Sequence, residues 1–578
     1  MDVEVYAAQS VEMREIFAGR KPCDLMIRNG RVVNVFTGEI LTHPVAVHKG
    51  RVIALEDLSA VESFDAQGLF ITPGFADCHI HIESSMLSPP EFARAVVRRG
   101  TTAVFADPHE ISNALGEAGF RYMLDATEGL PLDFYFLAPS CVPATPFETT
   151  KGDFSAEVIA RLASSRRVLG LAEFMNFPGV LAAERSCLEK LWRFRGGIVD
   201  GHAPLVSGRD LSHYIAAGIG SDHETTNPEE GREKLRKGMF LYLREGTSAR
   251  NLKDLAPLVT AASACRMGFA SDDRSPEDIC RKGHMDDILR QAIRCGIEPV
   301  TALRMACLSP FERFRIHDRG AVAPGYRADM ILLDDLRDFG VKAVVKDGRW
   351  LWQEDRYALP FPPGEVRPGL SSMKIPGADV LRETLAVRAD GTHLNVIGIV
   401  PGQILTEKKG RKLTQNGSVL DARDLGLAKV AVIERHRGTG NVGVAFVEGL
   451  GIEEGAIAST IAHDSHNVIV AGASDGDMIR AVSVLRDSGG GIVVVRKNEI
   501  LGFLPLPIGG LMSERPFEEV AALHEALQSA TDALGGRMIA SPFMYLSFLA
   551  LPVLPHLRVT DRGLFDVDRF EFIPLTRM

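Results

Sequence analysis

The stretch Pro73-Gly-Phe-Ala-Asp-Cys-His79-Ile-His81-Ile-Glu83-Ser-Ser85 reads as a short apolar run ending in two histidines one residue apart. In extended backbone, residues i and i+2 project to the same side, so His79 and His81 can face one ion. Taken alone, such a pair is equally two surface histidines. The downstream chain makes it informative. Strand-like runs recur and end near Asp77, Asp107, Ser140, Glu173, His202, His223, Glu245 and Asp272. Helix-like segments separate most of them, among them Glu91–Arg99, Val180–Arg193, Arg209–Ala217, Glu229–Lys237 and Met285–Cys295. This alternation across residues 73–319 predicts a (β/α)8 TIM barrel rather than an open doubly wound sheet. No GxGxxG opens a helix after the first strand, so a dinucleotide fold has no support.

The flanks read differently. Cys23–Arg28, Arg31–Asn34, Val45–His48 and Arg51–Leu55 are strand-like, punctuated by Asn29-Gly30 and Lys49-Gly50. A matching piece lies after the barrel, with strands at Asp329–Leu333 and Val341–Lys346 and a hairpin signal at Asp347-Gly348. Residues 1–72 and 320–360 are therefore expected to form one small β-sandwich, split by the barrel. Beyond the Pro/Gly-rich linker Pro360–Gly369, residues 370–578 alternate strands (Leu394–Val400, Val430–Ile433, Val442–Phe446, Gly491–Val495) with helices (Asp475–Arg486, Glu518–Leu534). A separate C-terminal α/β domain is expected there. The chain shows no internal repeat.

Bulk properties narrow the function. A chain of 578 residues exceeds one hydrophobic core. Its net charge of −10 carries no basic block that would grip a phosphate backbone, so nucleic acid is not an expected partner. The eight cysteines are dispersed without a CxxC pair, which fits reduced thiols in a cytoplasmic protein. The acidic start Met1-Asp2-Val3-Glu4 lacks the apolar core of a secretion signal. Ile539–Leu557 is apolar and long enough to span a bilayer, but Pro542, Pro552 and Pro555 would break a helix repeatedly. It reads as buried core and loop, with no membrane association.

If the barrel is right, the strand ends converge at one mouth, bringing together His79, His81, Glu173, His202, His223 and Asp272. Neutral imidazoles and carboxylates suit a divalent ion of intermediate softness. The residues alone stop at metal-assisted hydrolysis of a small polar molecule.

This ligand set, and the split sandwich around it, resemble the amidohydrolase superfamily. That superfamily commonly bridges two metals with a carboxylated lysine, where this chain offers Glu173. The strings PGFADCHIHIESS (73–85), ADPHEI (106–111), AEFMNFPGV (172–180), DGHAP (200–204), GSDHE (220–224) and ASDDR (270–274) closely resemble the bacterial adenine deaminases, as do AHDSHNVIVAG (462–472) and PIGGLMS (507–513) near the C-terminus. The resemblance covers nearly the whole chain. It implies that His79, His81 and Asp272 hold one metal and His202 and His223 a second, with Glu173 bridging. It further implies two divalent ions, manganese or iron, and hydrolysis of adenine to hypoxanthine and ammonia in purine salvage, by a cytoplasmic homodimer. Asp272 would act as the catalytic base, and Asp273 beside it would point the other way in an extended chain.

Several other residues are open to more than one reading. Glu83 could donate a proton to a ring nitrogen or be a solvated loop acid. His109, read with Glu110 at the end of the second strand, and Glu224 are candidate substrate or orienting contacts, with purely structural roles as the alternative. His213 and His284, in helix-like segments, read as bystanders. His463 and His466 could bind another ion if helical, or form hydrogen bonds across the barrel mouth. Among competing functions, a cyclic-amide hydrolase of the hydantoinase or dihydroorotase type usually has the bridging lysine that is absent here. A scaffold protein with a dead barrel would be expected to have lost ligands. A zinc-type base deaminase needs a P-C-x-x-C that does not occur after His81-Ile-Glu83.

Overall fold

The computed structural model describes all residues except 1–2, 363–369, 402, 404, 414–416 and 536–537. Most of the expected linker lies outside the described residues. Eight parallel strands form the centre: Phe75–Ile80, Thr101–Ala106, Asp133–Ala138, Val168–Phe174, Ile198–Gly201, Ser221–Asp222, Phe240–Arg244 and Met267–Ala270. The first five pair in sequence order as one sheet and the last three as another. The sheets curl toward each other at both edges. Between eighth and first, Asp272 N donates to His79 O at 3.0 Å and His81 N to Asp272 O at 3.2 Å. Between fifth and sixth, Gly220 N donates to Val199 O at 3.0 Å.

Period-two alternation divides these strands between two cores. One face, with Ala76, Cys78, Ala103, Phe105, Leu137, Ala172 and Tyr242, packs around Phe311 and Phe314. Phe105 and Phe314 stack with ring centroids 3.7 Å apart. The residues between them, such as Val104, Phe134, Phe136, Leu171 and Leu241, face the surrounding helices. Local signals start those helices: Pro228 opens Pro228–Arg236, and Asn227 accepts the Glu230 N–H at 2.9 Å. The expected helix Val180–Arg193 is two, Phe177–Leu181 and Arg185–Arg193.

A seven-stranded sheet joins segments on both sides of this centre. Phe70–Pro73 pairs with Arg31–Val33 on one side and Met330–Leu333 on the other. A four-stranded sheet built from Cys23–Arg28, Val45–His48, Arg51–Ala54 and Ala60–Asp65 shares its apolar core, in which Leu25, Ile27, Val45 and Val47 meet Ile71, Met330, Leu332 and Val345.

The C-terminal region is built on a nine-stranded, largely antiparallel sheet among the described residues. Helix Asp475–Ser488 packs Met478, Val482 and Leu485 on one face of it. This region docks on segments that come after the first and third parallel strands. Ser513 N donates to Met86 O at 2.8 Å and Ser88 N to Ser513 O at 3.0 Å. Thr149 N donates to Asp561 Oδ1 at 3.0 Å. Ile539–Leu557 holds only the helix Pro542–Phe548 before strand Leu557–Thr560. Among the described residues, no helix is long and apolar enough to cross a membrane.

Candidate metal centre

Residues at the C-terminal ends of the parallel strands converge. The first strand ends at Ile80, and His79 and His81 bring their Nε2 atoms within 3.1 Å of each other. Asp272, just past the eighth strand, places Oδ1 3.4 Å from His79 Nε2 and 3.2 Å from His81 Nε2. The Glu173 carboxylate divides between two histidine pairs. Its Oε1 stands 3.4 Å from His81 and 3.8 Å from His79. Its Oε2 stands 2.7 Å from His202 Nδ1 and 3.2 Å from His223 Nε2. All six are buried except His202, which is partly open.

The electrostatics result from burial against pairing. Burial alone would raise the Glu173 carboxyl, yet the adjoining His223, His202 and His81 hold it well below the ordinary carboxylate range. Burial likewise opposes ionisation of Asp272, and Arg244 with His79 and His81 reverses that, holding it well below its ordinary value. Arg244, the last residue of the seventh strand, donates from Nη1 to Asp272 Oδ2 at 3.0 Å and from Nη2 to Glu224 Oε2 at 3.1 Å. Sequence reading missed it. An arginine at a strand end carries no local signal, and only the fold places it between two carboxylates.

The remaining candidates also surround this cluster. Glu83 lies in the turn Ile82–Ser85 and is 2% exposed, so it is no solvated loop acid. Its Oε1 accepts the Ile111 N–H at 3.1 Å, while its Oε2 is buried without a hydrogen-bond partner among the described residues. Burial pushes this carboxyl up to about 7. Glu224 Oε1 lies 3.6 Å from His223 and 3.9 Å from His202.

Three expectations need correction, and one open reading is narrowed. His109 and Glu110 do not end the second strand; Pro108 interrupts the chain and His109 opens the helix His109–Leu115, its N–H received by Asp107 Oδ1 at 3.1 Å. His109 Nδ1 stands 3.2 Å from Asp107 Oδ2 and 3.6 Å from Glu173 Oε1. Asp273 does not turn away from the mouth as extended backbone would require. Asp272 has φ +54°, and Asp273 accepts a hydrogen bond from Ser84 Oγ. His284 is not helical but buried ahead of the helix Met285–Arg294, its Nε2 3.1 Å from Asp77. His463 and His466 are not on a helix either. They lie in a turn after strand Ala456–Ser459 and meet Glu110, His463 Nδ1 at 2.9 Å from its Oε1 and His466 Nε2 in contact with its Oε2. His213 sits on the helix Gly208–Ala216, as its segment suggests.

Residues 70–351 match the amidohydrolase family, and residues 403–571 match the adenine deaminase C-terminal domain. Adenine deaminase 2 of Carboxydothermus hydrogenoformans is 44% identical over 98% of this chain and 99% of its own length. The adenine deaminase of Desulfatibacillum aliphaticivorans is 46% identical over 96% of this chain and 98% of its own. The chain belongs to the adenine deaminase family. The donor set at the mouth fits a divalent metal. His81 Nδ1 is 2.9 Å from the Asp107 carbonyl oxygen, an acceptor only, so that nitrogen carries the ring proton and Nε2 turns a lone pair inward. Imidazole nitrogens 3.1 Å apart, with carboxylate oxygens at similar range, are spaced to share one cation. Mixed nitrogen and oxygen donors suit a divalent transition ion. This adenine deaminase family member has the side chains to hold one.

Proposed function

We propose that this chain is an adenine aminohydrolase, hydrolysing adenine to hypoxanthine and ammonia in purine salvage with two divalent ions, manganese or iron. The observation that carries this reading is the Glu173 carboxylate, one oxygen toward His79 and His81, the other toward His202 and His223. In this reading the eight parallel strands close as one (β/α)8 barrel of residues 73–319. Residues 1–72 and 320–360 form the split sandwich, and 370–578 the C-terminal α/β domain.

His79, His81 and Asp272 would hold one ion, His202 and His223 the other, with Glu173 shared. When bound, the ions make hydroxide available at neutral pH by lowering the pKa of water. Asp272 is kept ionised by Arg244 and adjoining histidines, so it can take the proton of the attacking water and pass it to the departing amine. Glu83 has one carboxyl oxygen tied to Ile111 N and the other without a partner among the described residues, so it would hold a proton for a ring nitrogen. The water oxygen adds at C6 as Glu83 gives its proton to the ring nitrogen; the amine leaves as ammonia with the proton from Asp272, and the C6 hydroxyl returns its proton to Glu83 as the carbonyl of hypoxanthine forms. Glu224 and His109 would contact the ring. The working enzyme is a cytoplasmic homodimer acting on a small purine base.

Manganese-loaded protein given adenine should yield equal amounts of hypoxanthine and ammonia. Hydantoins and dihydroorotate should be inert. Turnover of a cyclic amide with adenine untouched would overturn the proposal.

A further inference from the structure

The second histidine–carboxylate cluster lies where the C-terminal region meets the mouth. Glu110 is 3% exposed and His466 1%. The segment Ala462–Asn467 that carries the two histidines is strapped in place from behind. Arg435, fully buried, donates to the His466 carbonyl and, from Nη2, to Gly509 O at 2.9 Å. His436 Nε2 donates to Ser465 O at 2.7 Å, and Asn467 Nδ2 to Thr149 O at 2.9 Å. On its other side Glu110 adjoins the metal centre. His109 Nε2 stands 3.5 Å from Glu110 Oε1, and His109 Nδ1 3.6 Å from Glu173 Oε1.

The cluster could be another metal site or a hydrogen-bonded latch. His466 decides between them. Its Nδ1 accepts the Ala462 N–H at 3.3 Å, so Nδ1 carries no proton and the neutral ring bears its proton on Nε2. That N–H points at Glu110 and donates to it, which leaves no lone pair for an ion. We propose that Glu110 is a positioning residue. Gripped by His463 and His466, it fixes His109 against Glu173 and holds segment Ala462–Asn467 as a roof over the substrate pocket.

The inference rests on the adenine reading of the site below, and its test includes readouts that need no turnover. Glu110→Ala, His466→Ala and His466→Gln are compared with wild type by amide hydrogen exchange, elemental analysis and steady-state kinetics. Glu110→Ala and His466→Ala should raise exchange in 109–115 and 462–467, keep the wild-type metal content, and lower kcat/KM on the order of tenfold or more, as expected for a lost charge-assisted hydrogen bond. His466→Gln, which keeps a side-chain N–H donor, should restore most of both. One ion fewer per chain in His466→Ala would make the cluster a metal site and overturn the latch. Unchanged exchange and kinetics in a folded Glu110→Ala would overturn it too. If Glu110→Ala does not fold, the His466 pair decides. If wild type leaves adenine untouched, the substrate reading fails, while hydrogen exchange still decides the roof.

Discussion

Two buried carboxylates in this protein are each surrounded by histidines, Glu173 by five and Glu110 by three, with His109 common to both, yet they are built for different tasks. Around Glu173, His81 gives its outer ring proton to a backbone carbonyl and turns a lone pair inward. At Glu110, His466 takes a backbone N–H on its outer nitrogen and turns a proton inward. Residue type is the same in both clusters. What separates a cation cage from a hydrogen-bonded latch is the backbone group behind each ring, because it fixes which nitrogen is a donor.

The most severe test of that contrast is metal removal. Chelation should abolish turnover, and Glu173→Gln should lose metal and activity together, since a neutral amide is a poorer ligand. Glu110→Gln should keep its full metal complement. Elemental analysis of the two variants side by side would break the contrast if they lost metal equally.

The next effect lies inside the first cluster. Asp272→Asn keeps the shape but cannot carry a proton, and loss of acid–base help typically costs about 10²–10⁴ in rate. Turnover should fall at least about a hundredfold while adenine still binds. Asp273→Asn should cost far less, although the turn at Asp272 leaves both side chains at the mouth. Single-turnover rates that ranked the two variants the other way would move the proton shuttle to Asp273.

Among the described residues, Arg244 has no counterpart at the Glu110 cluster. Arg244→Gln leaves Asp272 and Glu224 buried without their shared cation, and a loss of roughly tenfold in kcat/KM is expected. Wild-type kinetics for that variant would show that the histidines alone suffice to keep Asp272 ionised.

The smallest effect is the pH response of the latch. Burial disfavours a charged His463, but Glu110, with Asp273 and Asp464 nearby, raises it from 6.5 to about 9. A histidine raised on folding stabilises the fold fully below its unfolded value, and the contribution disappears as pH climbs through the folded one. The difference in melting temperature between wild type and His463→Gln should therefore be largest near or below about pH 6.5 and shrink above about pH 9. A difference that grew with pH would mean that His463 is neutral in the folded protein.

Legibility in the sequence varies by residue. The strands ending at His79, Glu173, His202, His223 and Asp272 could be read because apolar runs and helix-like spacers are local patterns, and the chain's own periodicity places their ends. HxH was legible for the same reason, since two residues of extended chain fix its geometry. The turn at Asp272 was not, because a positive φ at an aspartate is imposed by the hydrogen bonds to His79 and His81 across the sheet edge.

The sequence by itself determined which strands carry the candidate donors, since each strand and the residue at its end are close together in the chain. Only the tertiary structure decided that Arg244 stands between Asp272 and Glu224, that His284 backs Asp77, and that His466 meets a carboxylate 356 residues away. Such pairs obey no period. They form because burying a charge requires a partner, and which partner is within reach is settled when the whole chain packs.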